Sequence, residues 1–95
     1  MINFEVKENE NNIVVEFNLT SGVITPEELK KVNPPQVKGD KIVVISGRGP
    51  IWLYGYLAHF YHYCMGVAFY DPRLNGGVVV QSHTPNVFPG DIIPC

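Results

Sequence analysis

The chain holds three histidines, His59, His62 and His83, and all of them lie in its second half. Asp71 is the only carboxylate between Asp40 and Asp91. Imidazoles with a carboxylate can make either a divalent-metal site or a metal-free acid–base group. No short Cys/His spacing supports structural zinc. A mixed nitrogen–oxygen set suits manganese, zinc or iron, and residue types alone do not choose among them. His59 and His62 are three apart in a stretch with helical patterning. That spacing predicts one shared face near the helix end, where the negative end of the dipole favours a proton or a cation. The plain alternative is aromatic-like packing beside Phe60, Tyr61 and Tyr63. Asp71 has a plain alternative too, because Asp-Pro starts turns.

The second constellation is Ser46-Gly47-Arg48-Gly49-Pro50. An apolar strand ends there, two glycines flank an arginine, and a proline opens a helical pattern. Glycines let the backbone turn sharply and approach a ligand closely. A helix N-terminus offers free N–H groups to an anion, and Arg48 adds a guanidinium fork suited to phosphate. The Gly-Lys-Ser/Thr ending of nucleotide-hydrolysing loops is missing. An ordinary strand-to-helix turn with a surface arginine is the alternative. Arg73 and the helix N-terminus would place further anion binding near the histidine–carboxylate set. Together these groups point to phosphodiester chemistry on a small nucleotide or an RNA end.

These residues must be positioned by a small scaffold. A chain of 95 residues is one domain, spanning residues 1–95. Apolar residues make up 45% and charged residues 17%, which fits neither a disordered nor a membrane composition. Its core is small, so any active site is shallow or is completed by a second chain. The net charge is −2, all of it within the first 41 residues. This excludes a strongly basic nucleic-acid binder, and nothing points to DNA, but a local positive patch can still hold a small polyanion. Cys64 reads as a buried thiol and Cys95 as exposed, with no disulfide framework. No signal peptide or membrane span is evident, so a cytoplasmic protein is expected.

Residues 2–7 and 13–19 alternate as strands around the polar turn Glu8–Asn12 and predict a hairpin. Thr25-Pro26-Glu27-Glu28 carries the signature of a capping box, and Asn33-Pro34-Pro35 closes that helix. Residues 41–45 read as a strand, Pro50 to about His62 as a helix, and 65–70 and 78–82 as strands. Ile92-Ile93 has the makings of a short edge strand. The helix after Pro50 is apolar almost all round, which predicts burial by a sheet and by a second body. The fold class expected is α/β, a mixed sheet with two helices in the order β-β-α-β-α-β-β.

The runs Val44-Ile45-Ser46-Gly47-Arg48-Gly49-Pro50-Ile51-Trp52-Leu53-Tyr54, Leu57-Ala58-His59, Tyr70-Asp71-Pro72-Arg73-Leu74 and Val78-Val79-Val80-Gln81-Ser82-His83 closely resemble the small CRISPR-associated ring nucleases of type III systems. The motifs span residues 42–84. These proteins are distant relatives of the CRISPR-associated Rossmann-fold (CARF-like) sensor domains, so the resemblance implies a ferredoxin-like, CARF-like core. It implies a homodimer that binds cyclic tetra-adenylate and cuts it to linear products, ending antiviral signalling. It implies dependence on Mn2+, and a ring held between two dimers. It also implies an alternative: trimming of RNA 3′ ends, or binding without turnover as a sensor. Carried over by position, His62 and Asp71 are the leading catalytic pair, with His59 in support. His59, Asp71 and His83 are the manganese-associated residues. Ser46, Gly47, Arg48 and Gly49 form the messenger-binding loop, and Arg73 lies near the scissile phosphate. Some members of the family carry a second, kinase-like domain, and residues 1–95 contain none.

Overall fold

A computed structural model describes all residues, 1–95. Its elements are β1 (Ile2–Glu8), β2 (Asn12–Leu19), α1 (Pro26–Leu29), β3 (Ile42–Ser46), α2 (Ile51–Phe60), β4 (Gly66–Asp71), β5 (Gly76–Ser82) and β6 (Ile92–Pro94). The predicted α/β architecture holds, including the short last strand. The six strands form one sheet in the order β1-β2-β3-β4-β5-β6. β2, β3 and β4 run parallel, and the outer pairs are antiparallel. Every strand lies beside its sequence neighbour. No strand is inserted between parallel partners, so the winding is consecutive rather than the interleaved one of a ferredoxin-like core.

Two successive crossovers that advance across a sheet in one direction put their helices on the same face. Accordingly, the main core joins Leu53 and Leu57 of α2 to Ile13, Val15, Phe17, Val43, Ile45 and Val67, and Leu29 of α1 packs against it. Strand alternation sends Ile42, Val44, Ala68 and Val79 to the other face. Val87 and Ile93 of the C-terminal segment pack on that second cluster. The sheet's centre is therefore dry on both sides, which explains why the parallel strand β3 is a continuous apolar run.

The capping box forms as the residues predict. Thr25 N–H donates to Glu28 Oε1 at 2.9 Å, and Glu28 N–H donates to Thr25 Oγ1 at 3.2 Å. Three tyrosines then fasten the connection from α1 to β3. Tyr61 donates to Pro35 O at 2.6 Å, Tyr63 to Val37 O at 2.8 Å and Tyr56 to Val32 O at 3.4 Å. Tyr61 is fully buried, and that burial pushes its phenol pKa upward.

One expectation about α2 is corrected. The helix ends at Phe60, and Tyr61 is its C-cap. Tyr61 turns into the core to reach Pro35, so His62 falls beyond the helix and does not share a helical face with His59. Within the single chain the sheet covers one side of the helix. Leu53 and Leu57 are buried, while Ile51 is 88% exposed and Trp52 39%.

Candidate functional site

The parallel strands give the sheet a direction and therefore two poles. Ser46, at the end of β3, and Asp71, at the end of β4, lie at the carboxyl pole. β4 begins with Gly66 at the opposite pole, five residues and about 17 Å of extended chain away. β5 runs antiparallel to it and pairs Gly66 with Ser82. His83 follows directly, and its N–H donates to Met65 O at 2.8 Å.

At the carboxyl pole the 46–50 loop is pressed against Phe17. A Cβ on Gly47 would stand 2.6 Å from Phe17 O and 2.8 Å from its ring, and Gly47 has φ +151°. A Cβ on Gly49 would stand 2.9 Å from the same ring. Both glycines are thus required by packing, whatever binds to the loop. Tyr54 holds the loop from the helix side by donating to Gly47 O at 2.5 Å. Its ring lies 5.4 Å from Phe17 and 4.8 Å from Phe69, and burial raises its pKa. Pro50 gives α2 no side-chain cap, so the first N–H groups of that helix stay free. Arg48 is exposed and makes no ion pair. Beside it, a cavity of about 380 Å3 is lined by Gly22, Val23, Ile24, Arg48, Gly49, Pro50 and Trp52. A larger cavity, about 650 Å3, lies between β1 and α1 and is lined by none of the loop residues or histidines.

Asp71 and Arg73 stand at the same pole. The guanidinium engages both carboxylate oxygens, Nε to Oδ1 at 3.2 Å and Nη2 to Oδ2 at 3.0 Å. Arg73 N–H also donates to Oδ1 at 2.9 Å, closing the turn. The hydrogen bonds from Arg73 hold the Asp71 carboxyl below its usual range, and Asp71 in turn raises Arg73. Asp71 is therefore a firm carboxylate that orients an arginine through a bidentate, charge-assisted pair.

Two of the histidines meet at the opposite pole. His62 and His83 meet edge to face, with ring centroids 4.9 Å apart. Gln81 Nε2 lies 3.0 Å from His62 Nδ1. His59 sits on the exposed face of α2. Within one chain, then, His62 and Asp71 are not neighbours. His59, Asp71 and His83 do not converge either, and no group of three His, Cys, Asp or Glu side chains comes together that could hold a metal ion. The reason is strand direction: Asp71 ends β4, and His62 lies near its opposite end. Sequence reasoning brought both into one set because strand ends look alike without a topology. It assigned no role to Trp52, Tyr54 or Gln81. Gln81 is polar where the strand's core-facing alternation expects an apolar residue, and that was the signal available.

A profile for the CRISPR-associated protein (Cas_csx3) family matches residues 17–94. The match takes in β3, the 46–50 loop, Asp71-Arg73 and all three histidines. The chain belongs to the Cas_csx3 family. It is also 48% identical over 98 residues to an uncharacterised protein of Aquifex aeolicus (strain VF5), covering 98% of this chain and 87% of that relative. Both poles fall within the span shared with the Cas_csx3 family. No helix of the chain is long and apolar enough to cross a membrane.

Proposed function

We propose that this CRISPR-associated protein is a ring nuclease that binds cyclic tetra-adenylate and cuts it to linear di-adenylate. The observation that carries the reading is the division of labour between the poles. An anion-binding pole holds Arg48, Arg73 and the open start of α2, and an imidazole pole holds His62 and His83. A ring of four phosphates is a compact polyanion. Held between the carboxyl pole of one copy and the imidazole pole of another, it would meet both sets of groups at once. Each copy alone would bind without cutting.

In this reading Arg48 and the loop N–H groups take phosphate oxygens. Arg73, fixed by Asp71, reaches the scissile phosphate and offsets charge as it builds. Phosphodiester scission needs a proton taken from the attacking oxygen and one given to the leaving oxygen. The imidazole pole of the facing copy supplies that exchange, with His83 taking the proton from the attacking oxygen and His62, against its ring, donating to the leaving oxygen. Dependence on Mn2+ is part of what the family resemblance implies. His59, Asp71 and His83 do not form a cage within one chain.

The test uses two inactive variants. His62→Ala and Arg73→Ala are each incubated with cyclic tetra-adenylate, with manganese and with chelator, and products are separated by chromatography. Each alone should leave the ring intact. Mixed together, they should regain cleavage, because an intact carboxyl pole can then face an intact imidazole pole. Failure to regain activity, with each variant still folded, would place the whole site in one chain. A wild-type protein that retains the ring uncut in every condition would be a sensor, the reading favoured by the unassembled acid–base groups of the single chain.

A further inference from the structure

We propose that Gln81 is a positioning residue for His62, and that a β-bulge at Val80 exists to aim it. This rests on the ring-nuclease reading for its catalytic consequence, but the placement of His62 stands on the fold alone.

β4 and β5 pair in regular register from Asp71↔Gly76 to Ala68↔Val79. The next partner of Val67 should be Val80. It is Gln81 instead, and the register shifts between Val67 and Ala68. One extra residue, Val80, is accommodated and left 44% exposed. Because side chains alternate, this single insertion turns Gln81 from the tail-covered face onto the helix-covered face, beside Val67. His62 arrives at that face from the turn after α2. Bulges commonly re-aim one side chain next to a functional site.

The contact has a direction. Gln81 Nε2 lies 3.0 Å from His62 Nδ1. Gln81 Oε1 is the one buried side-chain polar atom of the chain with no hydrogen-bond partner. Turning the amide over would bury two N–H donors unpaired in place of one acceptor, which is the worse arrangement. The amide therefore donates to Nδ1, and the neutral imidazole carries its proton on Nε2. The ring of His83 stands edge to face with the same imidazole, centroids 4.9 Å apart. His62 is left with one tautomer, one orientation, and Nε2–H as the group presented outward. A buried polar atom left without a partner is rare enough to need a reason. Here the reason is that the amide's other end is committed to the histidine.

The test reads the histidine directly and then the reaction. Nitrogen-15 spectra of the wild-type protein at neutral pH should show His62 with its proton on Nε2. Gln81→Leu should leave the fold intact, give mixed tautomers for His62, and lower kcat roughly 10–100-fold with KM unchanged. Gln81→Glu, whose carboxylate only accepts, should move the proton to Nδ1. A proton on Nδ1 of wild-type His62 would overturn the assignment, and so would wild-type turnover by Gln81→Leu. Should the wild-type protein show the Nε2 tautomer yet leave the ring uncut, the ring-nuclease reading fails while the hold of Gln81 on His62 survives.

Discussion

The two poles of the sheet are built in different ways. The carboxyl pole is local in sequence. Its loop, its arginine and the start of α2 lie within Ser46–Trp52, and Asp71 grips Arg73 only two residues away. The imidazole pole is assembled from the turn after α2, the end of β5 and a shift of register between two strands. One pole is rigid because Phe17 and Tyr54 leave its backbone no room. The other is set by which side of the sheet a side chain meets. Binding and chemistry should therefore fail separately under mutation.

The largest expected effect breaks the chemistry alone. His62→Ala should lower cleavage of cyclic tetra-adenylate by roughly 10²–10⁴-fold, the usual worth of a positioned acid or base. Arg48→Ala should do the reverse, weakening retention of the ring on the protein. Single-turnover rates set beside equilibrium binding would separate the two. Equal loss of binding in both variants would erase the distinction between the poles.

A smaller effect sharpens it. Gly47→Ala places a methyl group against Phe17 O at 2.6 Å, at a φ that side chains rarely adopt. The expected cost is about 1–3 kcal/mol of stability, read by denaturant unfolding. The ring should be bound less well, whereas the histidine spectra of the opposite pole should keep the wild-type pattern. Altered His62 signals would mean that the poles are mechanically coupled.

The smallest effect is on pH dependence. The Asp71 carboxyl is held below its usual value by Arg73, so its contribution to stability is complete above the unfolded value near 3.8. It is lost as pH falls through the lower folded value. Thermal unfolding of Asp71→Asn should thus differ from wild type at neutral pH and converge with it well below pH 4. The difference should be small, because the pair is exposed to solvent and screened. Convergence above pH 5 would mean that the carboxylate is not held down.

Much of the architecture could be read in advance, for reasons found in particular residues. Ile2–Lys7 and Ile13–Leu19 alternate around an Asn-Asn turn, and a hairpin follows. Thr25 and Glu28 have the spacing of a capping box, and the box forms. Val43, Val44 and Ile45 are too apolar for a half-exposed strand, and β3 is covered on both faces. The loop at Ser46–Pro50 could be read because its chemistry is carried by adjacent residues. The histidine–carboxylate set could not be placed in the same way. The end of α2 depends on Tyr61 reaching Pro35, a contact across 26 positions of the chain, and periodicity does not register such a contact.

The sequence by itself determined the strands, the capped helix, the glycine–arginine loop and membership of a CRISPR-associated family, because each is written in neighbouring residues. Only the tertiary structure decided that Asp71 and His62 stand at opposite ends of β4, and that Gln81 turns toward His62. Strand direction and register are settled by pairing energy summed over the whole sheet. One added residue at Val80 reverses a side chain without leaving any mark in local propensity.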